Sequence, residues 1–361
     1  MTTSIHGIES RLLQQVSRSF ALTIPQLPEG LIKPVTNAYL ICRIVDTIED
    51  ETQLSIDQKR IFFDQFGQVI DGTLPADKFA GALHPLLSAR TLPAEHELVR
   101  RTSDVMHTFF SLSDAQRQAI HLCARTMSRG MLEFQKKQNF NGLETLAQMN
   151  EYCYYVAGVV GDMLTRLFCA YSEAIAARKN NMVLLAASFG QGLQMTNIIK
   201  DLWEDKARGV CWLPKDLFRQ SGFDLASLSP HCFDPCFGQG LGALIGVAHG
   251  HLRNALAYSL LLPRSETGIR KFCLWAIGLA IFTLKKINRK RDYTCSRDIK
   301  ISRERTGAIL AITNACIHND VMLKLFFQMA TRGLPLSVDK ATTGRPDSVR
   351  LPEQMSADPQ R

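Results

Sequence analysis

The sequence predicts an all-α protein, and three observations carry that expectation. Apolar residues recur with helical periodicity from about residue 5 to about residue 330. Alternating strand patterns are nearly absent. The apolar stretches are separated by turn chemistry, namely "PQLPEG", "DGTLPAD", "NFNG", "SLSPHCFDP" and "LLPRSETG". With 361 residues, 46% of them hydrophobic and 21% charged, the chain is able to bury a sizeable core as one large domain or two modest ones. It shows no fixed-period repeat, which argues against a solenoid.

In chain order, residues 1–30 hold polar groups throughout and no apolar run of signal length, so an intracellular, cytoplasmic protein is expected. The stretch "AYLICRIVDTIEDE" then reads as one helix. Tyr39, Arg43, Asp46 and Asp50 step by four, three and four residues, so an aromatic, a cation and carboxylates share a face, with Glu49 beside them. A solvated acidic face has the same spacing. Ten cysteines sit mostly inside apolar stretches, as reduced core thiols do. "HCFDPC", with His231, Cys232 and Cys236, lacks a second Cys/His pair at zinc spacing and reads as a loop. The glycines of "GQGLGALIG" miss the dinucleotide spacing, and no strand precedes them, so a Rossmann fold is not expected. "FCLWAIGLAIFTL", Phe272 to Leu284, is apolar on all sides but short for a membrane span, and so reads as a buried central helix.

The net charge is +8 and is concentrated. Nine Lys or Arg between Lys285 and Arg305 face only Asp292, Asp298 and Glu304. Such a segment suits an anionic cofactor or an anionic bilayer surface. A nucleic acid fits it least, because no finger or RNP-like signature accompanies it. Residues 331–361 are polar and rich in Pro, Ser and Asp, and are expected to form a disordered tail behind a catalytic domain spanning 1–330.

A second stripe lies in "QMTNIIKDLWEDKARGVCWLP". Gln194, Asn197, Asp201, Asp205 and Arg208 step by three, four, four and three, again one helical face. Two acidic stripes facing across a cavity would chelate hard divalent ions around a diphosphate, with substrate oxygens and water completing the shell. Asp46, Glu49, Asp50, Asp201 and Asp205 form the expected metal set, with Asn197 ligating or orienting. Magnesium is the expected ion, and manganese is compatible.

Six ordered blocks resemble the squalene and phytoene synthases: "SRSFAL" (17–22), "YLICRIVDTIEDE" (39–51), "MSRGMLEF" (127–134), "YCYYVAGVVG" (152–161), "QMTNIIKDLWED" (194–205) and "RGVCWLP" (208–214). The resemblance implies a single-domain isoprenoid-synthase helical bundle around a central cavity that binds two prenyl diphosphates head to head. The squalene-forming branch looks nearest, since "IKISRERTGAIL" (299–310) is similar to the segment that helps hold NADPH there. In this chain the arginine after Lys300 is Arg303, one place later than the family's pattern. The implied reaction condenses two farnesyl diphosphates to presqualene diphosphate and reduces it to squalene. A dehydrosqualene- or phytoene-forming enzyme without reduction is the alternative, and a prenyl-lipid binding protein is the non-enzymatic one. The anchor typical of eukaryotic members is missing, so peripheral membrane contact and no transmembrane helix are expected.

The resemblance also distributes roles. Arg18, Arg43, Lys200 and Arg208 are the expected phosphate partners, since guanidinium groups grip phosphate oxygens bidentately and lysine supplies a point charge. Arg18, Arg43, Lys300 and Arg303 are expected toward the cofactor. Tyr152 is the candidate to stabilise a cation through its ring or to relay a proton, and core packing is its ordinary alternative. Phe20, Tyr39 and Phe272 are expected along the substrate tunnel.

Overall fold

The computed structural model describes residues 5–17, 19–137 and 140–337. Twelve helices build the bundle and position the site: α1 (Ile5–Val16), α2 (Glu29–Asp50), α3 (Ile56–Ile70), α4 (Asp114–Gln135), α5 (Leu146–Cys153), α6 (Val159–Tyr171), α7 (Lys179–Lys200), α8 (Leu202–Ala207), α9 (Pro235–Leu261), α10 (Thr267–Arg289), α11 (Arg303–Cys316) and α12 (Asp320–Thr331). Further helices link them, and among the described residues no strand is formed beyond isolated bridges.

Helix starts follow local chemistry. Ser55 and Ser113 cap α3 and α4 in reciprocal capping boxes with Gln58 and Gln116. Asp234 caps α9 by accepting from the Cys236 N–H at 2.7 Å, so "HCFDPC" is a loop running into a helix start. The glycines of "GQGLGALIG" lie inside α9. α2 stops at Glu51, whose carboxylate turns back to accept from the N–H groups of Gln53 and Ser88 and from the Thr91 hydroxyl.

The apolar faces gather into two cores. One joins α1, α2, α3, α4 and α6, and the other joins α5, α7, α9, α10 and α12. Helices α7 and α9 form the most extensive pair, and α6 packs on α7 almost backbone to backbone. A Cβ at Gly161 would meet the Ala186 carbonyl oxygen at 2.0 Å, and one at Gly190 would meet that of Ala157 at 2.0 Å. Only glycine permits that approach. Between α5 and α6 the chain widens into a π turn at Tyr154–Gly158, a feature that tends to mark functional sites. Tyr155, Val156 and Phe189 are half-buried and pack against both cores, and Val160, Leu164 and Leu193 are half-buried on the same inner helices.

Two helices, α7 and α10, are long and apolar enough to cross a membrane, and 61% of each apolar window is buried inside the protein. The helix around Phe272–Leu284 is therefore longer than its apolar run suggests, 23 residues, and burial rather than shortness makes it a core element. Of the ten cysteines, all unpaired, Cys42, Cys123, Cys153, Cys211, Cys273 and Cys316 are buried. Within the expected tail, Pro335 and Ser337 bond to α9: His249 Nδ1 lies 2.8 Å from the Pro335 oxygen, and the Ser337 N–H donates to the Gly246 carbonyl at 3.0 Å. Residues 338–361 lie outside the described residues.

Candidate active site

The first stripe comes from α2, whose opposite face buries Leu31, Leu40, Ile41, Ile44, Val45 and Ile48. That burial leaves Tyr39, Arg43, Asp46 and Asp50 along the open side. Arg43 pairs with Asp46 at 3.6 Å and, more tightly, with Glu95 from the following helices. Its Nε is buried and has no partner. Burial pushes the Asp46 carboxyl up to about 7; Arg43 opposes the shift, while Asp50 and Glu95 add to it.

Glu49 departs from the expected arrangement. It is rotated off the stripe and buried, and its Oε1 accepts from Gln135 Nε2 at 3.4 Å. Gln135 in turn accepts from Lys59 at 2.8 Å. Burial, then the charges of Asp50 and Asp46, push Glu49 up to about 8. Helix periodicity puts position 49 about 60° from Asp46, which is enough to turn it toward α3 and α4. The structure thus does not bring Glu49 into line with the other expected metal ligands.

The second stripe is not one continuous helix. α7 ends at Lys200, Asp201 caps it with φ −98° and ψ 15°, and α8 begins at Leu202. Hydrogen bonds from Asp201 N–H to Asn197 C=O and from Asp205 N–H to Asp201 C=O carry the face across the break. Lys200 Nζ lies 3.1 Å from both Asn197 Oδ1 and Asp201 Oδ2. Asp205 is buried, and burial raises its carboxyl to about 6 against the opposing pull of Arg208. Asp201 is raised for the same first reason. Glu204 faces away, and its Oε1 accepts from the Ser296 N–H at 2.9 Å.

One residue joins the stripes. Arg208 Nη1 lies 3.3 Å from Asp50 Oδ1, and its Nη2 lies 2.5 Å from Asp205 Oδ1, so the acidic ends of α2 and α8 face one another across a guanidinium. Tyr152 sits beside this junction. It is 4% exposed and stacks on Trp212, with ring centroids 3.8 Å apart and planes at 12°. Burial first, then the charges of Glu49, Asp50 and Asp205, hold its phenol well above the ordinary range. The Phe134 ring also packs on it, tilted by 54° with centroids 5.3 Å apart. Among the described residues no three His, Cys, Asp or Glu side chains converge to metal-ligand distance, and Arg43, Lys200 and Arg208 stand among the carboxylates instead.

Phe20 lies 5.1 Å from Tyr39 and 6.3 Å from Phe272, and Phe168 extends this aromatic wall. Lys300 and Arg303 are exposed and follow a segment tied to the second stripe, through Ser296 to Glu204 and through Tyr293, whose carbonyl accepts from Trp203 Nε1 at 2.6 Å. Arg18 lies outside the described residues. A groove of about 790 Å³ opens between α3, α4 and α6, and none of the stripe carboxylates line it. Sequence reasoning missed Glu95, Gln135, Lys59 and Trp212. Trp212 alone left a signal, as part of "RGVCWLP".

The squalene/phytoene synthase family model matches residues 13–305. The chain is 33% identical over 276 residues to a squalene synthase of Eremothecium gossypii, covering 76% of this chain and 60% of that one. It is 31% identical over 283 residues to squalene synthase ERG9 of Saccharomyces cerevisiae, covering 78% and 61%. It thus spans less than two thirds of the length of these relatives. Among solved structures, the complex of TcSQS with the ligand BPH1237 superposes with a TM-score of 0.71 at 24% identity, over 94% of this chain and 95% of that one. A dehydrosqualene synthase in complex with ligand superposes with a TM-score of 0.62 at 20% identity, over 90% and 97%. These likenesses establish the shared helical fold.

Proposed function

The chain belongs to the squalene/phytoene synthase family, and from that premise we propose that it joins two farnesyl diphosphates head to head, through presqualene diphosphate, and reduces the product to squalene. The observation that carries the reading is Arg208 held between Asp50 and Asp205, which sets two acidic stripes face to face. An incoming diphosphate meets Arg43, Lys200 and Arg208 there, and each cation can exchange a carboxylate partner for phosphate oxygens. The farnesyl chains run along Phe20, Tyr39, Phe272, Val156 and Val160.

Tyr152 keeps its proton at neutral pH, because burial and the surrounding carboxylates oppose a phenolate. It therefore offers a protonated hydroxyl dipole to a developing carbocation, with Trp212, stacked on its ring, fixing its plane. The carboxylate set fits a hard divalent ion: Asp46, Asp201 and Asp205 are buried or half-buried and raised by burial and by neighbouring carboxylates, which an added cation would relieve, and Asp50 stands exposed beside them. Asp46, Asp50, Asn197, Asp201 and Asp205 would hold magnesium, which when bound supplies positive charge to the departing diphosphate, and NADPH near Lys300 and Arg303 would supply the hydride. An apolar hydrocarbon product also makes a membrane surface its natural destination.

The test is product analysis with farnesyl diphosphate and magnesium, with and without NADPH. Squalene with NADPH and presqualene diphosphate without it are expected. Dehydrosqualene or phytoene formed regardless of NADPH would overturn the reductive half. Absence of any diphosphate release would leave a prenyl-lipid binding protein.

A further inference from the structure

Among the described residues, the helical hairpin of α11 and α12 has an apolar face that nothing covers. Val321, Met322, Leu325 and Met329 stand on one side of α12, at positions i, i+1, i+4 and i+8, with Val321 65% and Met329 72% exposed. Their opposite neighbours Leu323, Phe327 and Ala330 are buried in the second core, so the exposed set is the outward face of a docked helix. Ile312 on α11 and Leu336 beyond α12 are exposed as well. Six of the large apolar side chains at the surface therefore fall between residues 312 and 336.

From Arg305 to Ser337 the charge is basic but for one residue. Between Arg305 and Ser337 the only acid is Asp320, and it is occupied by Arg264 at 2.9 Å and Arg270 at 2.5 Å. Lys324 and Arg332 are exposed on the same element. Lys285 Nζ donates to the Ala330 carbonyl at 2.8 Å and Asn288 Nδ2 to that of Gly333 at 3.2 Å, which brings the basic end of α10, with Lys286 and Arg289, alongside the C-terminal end of α12. An apolar helix face flanked by lysine and arginine and free of uncompensated acid is the pattern of a helix lying in a membrane interface.

We propose that α12 is an interfacial docking helix for an anionic bilayer, seated with Val321, Met322, Leu325 and Met329 among the acyl chains and Lys285, Lys286, Arg289, Lys324 and Arg332 at the headgroups. A second copy of this chain covers apolar surface equally well but repels so basic a rim, and this is why the lipid surface is favoured. The proposed squalene chemistry gives the docking a use, yet the docking is read from the surface alone and its test involves no substrate.

The full chain is sedimented with vesicles of phosphatidylcholine and of phosphatidylcholine mixed with phosphatidylglycerol. Partition about tenfold or more in favour of the anionic vesicles, released by high salt, is expected. Leu325→Glu combined with Met329→Glu should weaken that partition about tenfold or more while circular dichroism stays unchanged, because both side chains are exposed. Arg289→Glu should reduce the anionic preference and leave binding to neutral vesicles as it was. The proposal is overturned if the double variant partitions as the wild type does, or if neutral and anionic vesicles bind equally. A dimer in sedimentation velocity that the double variant dissolves would overturn it too, by making a second copy the cover.

Discussion

The two acidic stripes share a spacing and differ in everything around it. The first lies on an unbroken helix of 22 residues and carries one cation of its own, Arg43, shared between Asp46 and Glu95, while Arg208 reaches its Asp50 from the second. The second crosses a helix break at Asp201, and its two carboxylates have two cations, Lys200 and Arg208. The consequence is electrostatic. Burial raises Asp46 to about 7 and Glu49 to about 8, but Asp205, with Arg208 against it, only to about 6. Similar acid patterns thus become unequal sites through burial first and then through the charges the fold places beside them: Arg43 opposes the rise at Asp46 while Asp50 and Glu95 add to it, and Arg208 opposes the rise at Asp205.

The sharpest way to break this comparison is to remove one carboxylate from each side. Asp50→Asn and Asp205→Asn should each lower turnover about 10²–10³-fold with the fold retained, since each takes away charge aimed at the leaving group. Initial rates at saturating magnesium decide it, and a near-normal rate in either variant would remove that stripe from the site.

Between the stripes, Trp212→Ala should cost about 3 kcal/mol of stability in urea unfolding, because a large ring leaves the face of Tyr152. Loss of stability without any change in turnover would mean that Tyr152 does not depend on that support.

The contrast extends to the two cores, where two buried titratable groups pull in opposite directions. Glu9, against Asn37 in the first core, is raised by burial to about 7, so the fold favours its neutral acid. Its contribution is complete below the unfolded value of 4.5 and is lost as pH rises through 7. His251, between Ser188 and Asn150 beside the second core, is lowered by burial to about 4, so the fold favours neutral imidazole. Its contribution is complete above 6.5 and is lost as pH falls toward 4. Relative to wild type, Glu9→Gln should gain stability toward pH 8 and His251→Asn toward pH 5, each on the order of 2 kcal/mol. Urea midpoints across that range provide the check, and parallel pH profiles would refute the assignment.

The finest distinction is between the cations. Arg208 bridges both stripes, whereas Lys200 touches only its own. Arg208→Ala should therefore reduce kcat/KM about tenfold more than Lys200→Ala does. Equal losses would mean that the bridge has no role beyond a local charge.

Much of the architecture was legible in the residues. Helical periodicity and turn chemistry mark an all-α chain because they act within a few residues of one another. Asp46 with Asp50, and Asp201 with Asp205, were recognisable as pairs because four residues return the chain to the same helical face. The ordered blocks announced the family, and the buried thiols followed from their apolar neighbours.

What the sequence could not decide were the partners drawn from distant parts of the chain. Glu49 lies only about 60° around the helix from Asp46, and it is the packing of α3 and α4, with Gln135 on its carboxylate, that buries it there. Arg43 was expected to face phosphate, but Glu95, 52 residues away, also claims it. Arg208 bridges to an acid 158 residues upstream, and the Trp212 ring lies flat on Tyr152. Spacing along a helix is set by its 3.6-residue period and is therefore written locally. Which charge neutralises which depends on how whole helices pack, and only the assembled bundle settles that.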